Sequence, residues 1–200
     1  SASEQALCFM LGLSRNLFFS SFPLKEGLWK KEGGSFLTGK TVGIIGCGHI
    51  GTDLILLLQP FNCQILICDI LDKSGVVDTY GATQVLQDEL LAEADIISLH
   101  VPLTELTQGM VNEEFLQKMK PTAYLINNSR GPVVEQQALK KALQQNIIAG
   151  AALDVFELEP PDDLEFLDLP NLMVTPHIGG SANEAILAMG RSAISHLKKH

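Results

Sequence analysis

The chain has 200 residues, 46% hydrophobic and 18% charged, which is enough apolar side chain for a sizeable core and too much for a disordered chain. Twenty-three acidic against fourteen basic residues leave a net charge of −9, which speaks against nucleic acid or an anionic membrane as a partner, although a local basic group can still hold one phosphate. Apolar runs such as Leu54–Leu58 are far too short to span a bilayer, and no basic segment leads into a signal-like apolar stretch.

The first predicted element is a helix over about Ser3–Phe19, apolar at Leu7, Met10, Leu11, Leu13 and Leu17, with a capping-box signal in Ser1-Ala-Ser-Glu4. Its apolar surface covers much of its circumference, so its own sheet and a partner subunit are both open as packing surfaces. Ser20–Lys40, with Pro23, Gly27, Gly33, Gly34 and Gly39, reads as a linker. Strands and helices then alternate: strand Thr41–Gly46, helix Ile50–Gln59, strand Gln64–Asp69, helix Val85–Ala92, strand Asp95–His100, helix Glu113–Met119 and strand Thr122–Asn128. Helix Val134–Gln145, strand Ile147–Leu153, a proline- and carboxylate-rich loop Pro160–Pro170 and strand Leu172–Thr175 follow. A last helix is expected over about Ala182–Lys199, with Ser181-Ala-Asn-Glu184 as its capping signal. The alternation predicts a parallel α/β sheet, and the near-continuous apolar strands predict helices on both of its faces.

Gly46-Cys-Gly48-His-Ile-Gly51 is a G-x-G-x-x-G pattern, which is weak by itself but sits between a strand and a helix, with Asp69 closing the next strand. Gly46 permits a tight turn, Gly48 lets the backbone approach a pyrophosphate, and Gly51 brings the helix close to the strand. The helix's positive end then holds the phosphates. Asp69 would accept hydrogen bonds from the adenosine ribose and repel a 2′-phosphate, and Ile70 after it supplies no Arg for one, so NAD is favoured over NADP. Cys8, Cys47, Cys63 and Cys68 lack metal-like spacing and read as reduced thiols of a cytoplasmic protein, with Cys47 partly exposed in the glycine loop.

Three further polar groups stand where apolar strands end: Asn127-Asn-Ser-Arg130, Asp154-Val-Phe-Glu-Leu-Glu159 and Thr175-Pro-His177-Ile-Gly-Gly180. A lone loop Arg, a Glu before proline or a lone His is usually structural. Together, at the edge that carries a dinucleotide loop, they describe a catalytic constellation.

With Leu37-Thr-Gly-Lys40 and His100-Val-Pro-Leu-Thr104, these motifs run through most of the chain, which resembles the nucleotide-binding domain of the D-isomer-specific 2-hydroxyacid dehydrogenases. The resemblance implies a Rossmann-type doubly wound sheet, NAD as cofactor, and exchange between a 2-hydroxy acid and a 2-oxo acid. It assigns the substrate carboxylate to Arg130, the proton to His177, and to Glu159 the orientation of His177 and support of its imidazolium. Asp154 resembles the residue that holds the nicotinamide carboxamide. His49, Ile50, Val101, Asn128, Ser129, Gly179 and Gly180 would line the cofactor.

His49 stands where the family usually has Arg or Lys, which would weaken the pyrophosphate contact or make it pH-sensitive. Family members carry a second, substrate-binding domain, so 1–200 is expected to be the cofactor domain alone, excised or truncated, with a leading helix (1–20), a core (41–180) and a closing helix (181–200). A homodimer across the leading helix is implied. A nonenzymatic NAD-sensing protein on the same fold, like the co-repressors that resemble this family, is the alternative.

Overall fold

The computed structural model describes residues 1–31, 33–187 and 191. The chain opens with two helices, α1 (Ala2–Ser14) and α2 (Leu17–Lys25). Then come β1 (Thr41–Ile45), α3 (His49–Leu58), β2 (Gln64–Cys68), α4 (Ser74–Tyr80), β3 (Thr83–Gln84), α5 (Gln87–Glu93) and β4 (Ile96–Leu99). The second half holds α6 (Glu113–Lys118), β5 (Tyr124–Asn127), α7 (Gln136–Gln144), β6 (Gly150–Leu153), α8 (Leu164–Leu167) and β7 (Leu172–Val174).

The seven strands form one sheet in the order β3-β2-β1-β4-β5-β6-β7, and every pairing is parallel. The chain builds outward from β1 to β3, then returns to the other side of β1 and builds outward again to β7. This is the expected doubly wound Rossmann-type sheet, and its order reverses between β1 and β4, at the switch point where such sheets bind ligands.

The central strands β1, β4, β5 and β6 are mostly apolar because both of their faces are covered. Ile45, Ile97, Leu99, Leu125 and Ala151 join one core with α5, α6 and α7. Their neighbours Ile44, Ile96, Ile126 and Ala152 point the other way, into a second core with α1 and α3. At about 25 cal/mol per Å² of apolar surface, each fully buried Leu or Ile contributes roughly 1.5–3 kcal/mol.

The leading helix differs from the expectation in two respects. It breaks after Ser14: Asn16 adopts a left-handed conformation (φ 51°), which Asn tolerates, and α2 then continues into the stretch read as linker. Ser1 makes no side-chain cap; its hydroxyl instead donates to the Gly179 carbonyl at 2.6 Å. Of the two packing surfaces left open, its own sheet takes Ala6, Phe9, Met10 and Leu13, all buried in the second core. Short elements α4, β3 and α8 appear where none was expected, α8 inside the predicted loop at Pro160–Pro170. The closing helix shows helical residues at 183–187, and most of its remaining length lies outside the described residues. Among the described residues, no single helix is long and apolar enough to cross a membrane.

Candidate active site

Parallel strands bring all their carboxyl ends to one edge. In spatial order this edge carries Asp69 after β2, the glycine loop after β1, His100 and Val101 after β4, Asn128–Arg130 after β5, Asp154 after β6 and Thr175–His177 after β7. The sequence-predicted residues therefore form a row.

Gly46 turns the chain out of β1 with φ 87°, and a Cβ there would lie 2.6 Å from the His100 carbonyl oxygen. A Cβ on Gly51 would lie 2.5 Å from the Gly46 oxygen, so only glycine lets α3 start this close to the strand. Gly48 is different: nothing lies within 4 Å of its missing Cβ. It flanks an α3 N-terminus that has no side-chain cap. Open space over uncapped N–H groups at the positive end of a ten-residue helix fits a pyrophosphate, so the loop passes the test for a dinucleotide. His49 and Ile50 are exposed on that helix's first turn.

Asp69 is held in place by the same loop. Its carboxylate accepts from the Cys47 N–H at 2.7 Å and the Leu71 N–H at 2.9 Å, and it pairs with Lys73 at 3.4 Å. Desolvation resists its ionisation, but the two N–H donors and the Lys73 ammonium outweigh that and hold its carboxyl below the usual range. Cys47, expected to be partly exposed, is buried, since its own N–H is turned inward to Asp69, and burial pushes its thiol pKa up. Behind Gly46, His100 touches Ser98 Oγ at 2.9 Å, and burial pushes its imidazole down to about 4, so it is neutral at physiological pH.

At the far end of the row, buried Asn127 folds the turn that presents Arg130. Its Oδ1 accepts from the Ser129 N–H and hydroxyl, and its Nδ2 donates to the Arg130 carbonyl. The Arg130 guanidinium is exposed, donates to the Ser129 carbonyl at 2.6 Å, and forms no ion pair with any described residue. Its fork is thus available to a carboxylate.

Asp154 is 1% exposed and serves as an anchor. Its Oδ1 accepts from Thr175 Oγ1 (2.5 Å), the Ile178 N–H (2.8 Å) and Gln5 Nε2 (2.9 Å), and its Oδ2 accepts from the Gly179 N–H (2.7 Å). Those bonds grip both sides of His177, which sits in a left-handed conformation (φ 52°). His177 Nδ1 lies 2.7 Å from Glu159 Oε2, with the two side chains 49% and 38% exposed. The bond to His177 and the Phe156 N–H hold the Glu159 carboxyl below its usual range. Glu159 is therefore an anion at neutral pH and accepts only, so the proton sits on Nδ1 and Nε2 is left for exchange with a substrate.

Sequence reasoning missed two participants. Gln5 reaches from α1 to Asp154 and to Thr175 Oγ1 (3.1 Å), and Lys73 lies against Asp69. Neither belongs to a motif; an exposed-looking polar residue gives no local signal of a partner 149 positions away. Two amide oxygens at this end, Gln5 Oε1 and Asn128 Oδ1, are buried with no donor facing them. Among the described residues no cluster of His, Cys, Asp and Glu could hold a metal ion.

Residues 7–179 match the family model described as "D-isomer specific 2-hydroxyacid dehydrogenase, NAD binding domain". A glyoxylate reductase of Pyrococcus furiosus is 40% identical over 98% of the chain and 61% of its own length. A D-3-phosphoglycerate dehydrogenase of Bacillus subtilis is 36% identical over 94% of the chain and 36% of its own length. The structure of a D-lactate dehydrogenase from Aquifex aeolicus complexed with NAD and lactic acid superposes with a TM-score of 0.91 at 30% identity, covering 98% of this chain and 65% of that one. The chain thus spans less than two thirds of the length of these relatives.

Proposed function

Because the chain belongs to the D-isomer-specific 2-hydroxyacid dehydrogenases and matches their NAD-binding domain, we propose that it holds NAD along the strand-end row and serves interconversion of a D-2-hydroxy acid and a 2-oxo acid. The observation that carries this reading is the alignment, on one sheet edge, of a dinucleotide cradle at β1 and a hydrogen-bonded Glu159–His177 pair beyond β6 and β7.

NAD, when bound, supplies the hydride chemistry. This chain's residues do the rest. Asp69 takes the adenosine ribose hydroxyls, and the α3 N-terminus, with His49 and Ile50 beside it, takes the pyrophosphate. Val101, Asn128, Ser129, Gly179 and Gly180 line the path to the nicotinamide. Asp154 holds the 178–179 backbone, and its Oδ2, with one donor, retains a lone pair for the carboxamide. Arg130 grips the substrate carboxylate through its planar fork. His177 exchanges a proton at Nε2 with the substrate oxygen, and Glu159 steadies the imidazolium formed. This Arg–His–Glu set favours the enzyme over the nonenzymatic NAD sensor, as the dehydrogenase relatives do.

Calorimetry of the 200-residue chain is expected to register NAD binding at millimolar cofactor or below, and silence there overturns the reading. In the full protein, reduction of a 2-oxo acid by NADH separates enzyme from sensor. The chain is also proposed to be cytoplasmic, which its four unpaired cysteines support. A homodimer is supported by the apolar side chains left exposed on and after α2, among them Phe22, Leu24, Trp29 (76% exposed) and Phe36. Light scattering at monomer mass across a wide concentration range would overturn that assignment.

A further inference from the structure

The adenosine end of the row holds a charge that the glycine-loop motif does not account for. Lys73 lies four residues beyond Asp69, and its Nζ is 3.4 Å from Asp69 Oδ2, with side chains only 16% and 10% exposed. The loop between them is built for this approach. Gln84 Oε1 accepts from the Lys73 N–H at 2.8 Å, and Gln84 Nε2 donates to the carbonyls of Leu71 (2.9 Å) and Asp69 (3.3 Å). Asp72, the nearest other carboxylate in the chain, is turned to the Ser74 N–H and hydroxyl. Ile70, the residue after Asp69, is 90% exposed and carries no charge.

Selection against a 2′-phosphate is usually argued from a bare carboxylate at the strand end. Here the carboxylate is half of an ion pair, so the field at the ribose is that of a near-neutral pair. Any ribose substituent within reach of Asp69 Oδ2 is also close to an ammonium, a compact point charge well suited to phosphate.

We propose that Lys73 is a second determinant of cofactor choice: it tempers the bias against NADP set by Asp69, and becomes the cation for a 2′-phosphate once Asp69 is neutralised. The inference rests on the reading that Asp69 faces the ribose of a bound dinucleotide.

The test measures NAD and NADP affinity by calorimetry for the unaltered chain, Lys73→Gln, Asp69→Ser and the double variant. Asp69→Ser should gain about tenfold or more in NADP affinity, the usual scale of one charge-assisted hydrogen bond. Adding Lys73→Gln should remove about tenfold of it while changing NAD affinity little. Lys73→Arg in the Asp69→Ser background should keep the gain, and 0.5 M salt should erode it. Thermal melts check folding, and Asp69→Asn, isosteric with the native residue, replaces Asp69→Ser if that variant unfolds. Equal NADP affinity in the single and double variants overturns the proposal and leaves Lys73 a purely structural partner. Unchanged preference in Asp69→Ser overturns it by removing Asp69 from the ribose. Absence of NAD binding by the unaltered chain instead overturns the functional reading beneath it.

Discussion

The two ends of the strand-end row are finished to different degrees. At the proposed adenosine end, Asp69 is 10% exposed and already holds two backbone N–H groups and a lysine, while Gly46 and Gly51 fit with no room for a Cβ. At the proposed reacting end, His177 and Glu159 are 49% and 38% exposed, and the Arg130 guanidinium meets no carboxylate among the described residues. The difference teaches that cofactor binding is built into backbone geometry that the sheet itself enforces. The groups proposed to react are aimed by side-chain bonds of Asn127, Asp154 and Glu159 and stay open to solvent, where their charges are screened.

Breaking the reacting end alone should have the largest effect. His177→Ala in the full protein is expected to slow the chemical step by about 10²–10⁴-fold, with NAD affinity by calorimetry nearly unchanged. A rate that survives would require another proton carrier and would reduce the site to cofactor binding.

Next comes His100, where the two halves meet behind Gly46. Its folded pKa of about 4 lies below its unfolded value, so between pH 6.5 and 4 the unfolded chain binds a proton that the folded chain refuses. Stability should therefore fall as the pH drops through that window, by at most about 3 kcal/mol. Urea unfolding across it, with His100→Gln flattening the slope, checks the sign.

Breaking the cradle should act on binding and folding together. Gly51→Ala, whose Cβ would lie 2.5 Å from the Gly46 oxygen, should cost about 2 kcal/mol of stability and much of the NAD affinity. Retained binding would mean the loop has more freedom than its geometry shows.

The smallest effect sharpens the comparison from the reacting side. Gln5→Ala removes a donor from Asp154 and Thr175 and should cost about 1 kcal/mol in chemical denaturation. Because Gln5 touches the anchor and not His177, NAD affinity should change less than in Gly51→Ala.

Much of this protein is determined by its sequence alone. Strands such as Thr41–Ile45 and Ile96–Leu99 are legible because burial on both faces forces a near-continuous apolar run, and alternation with helices then dictates a parallel sheet. Once the strands are parallel, Arg130, Asp154, Glu159 and His177 are bound to one edge by their positions after strand ends. Elements without an apolar period, α4, β3 and α8, escape such reading, as does the break at Asn16, which has no proline or glycine to announce it.

Only the tertiary structure decided the side-chain partnerships. Asp154 as the anchor of the His177 loop, Gln5 reaching it across 149 positions, Lys73 neutralising Asp69 and Cys47 buried beneath the loop are all outside the reach of local pattern. The physical reason is that periodicity reports which face of an element is buried, whereas a hydrogen bond or ion pair depends on where two elements come to rest against each other.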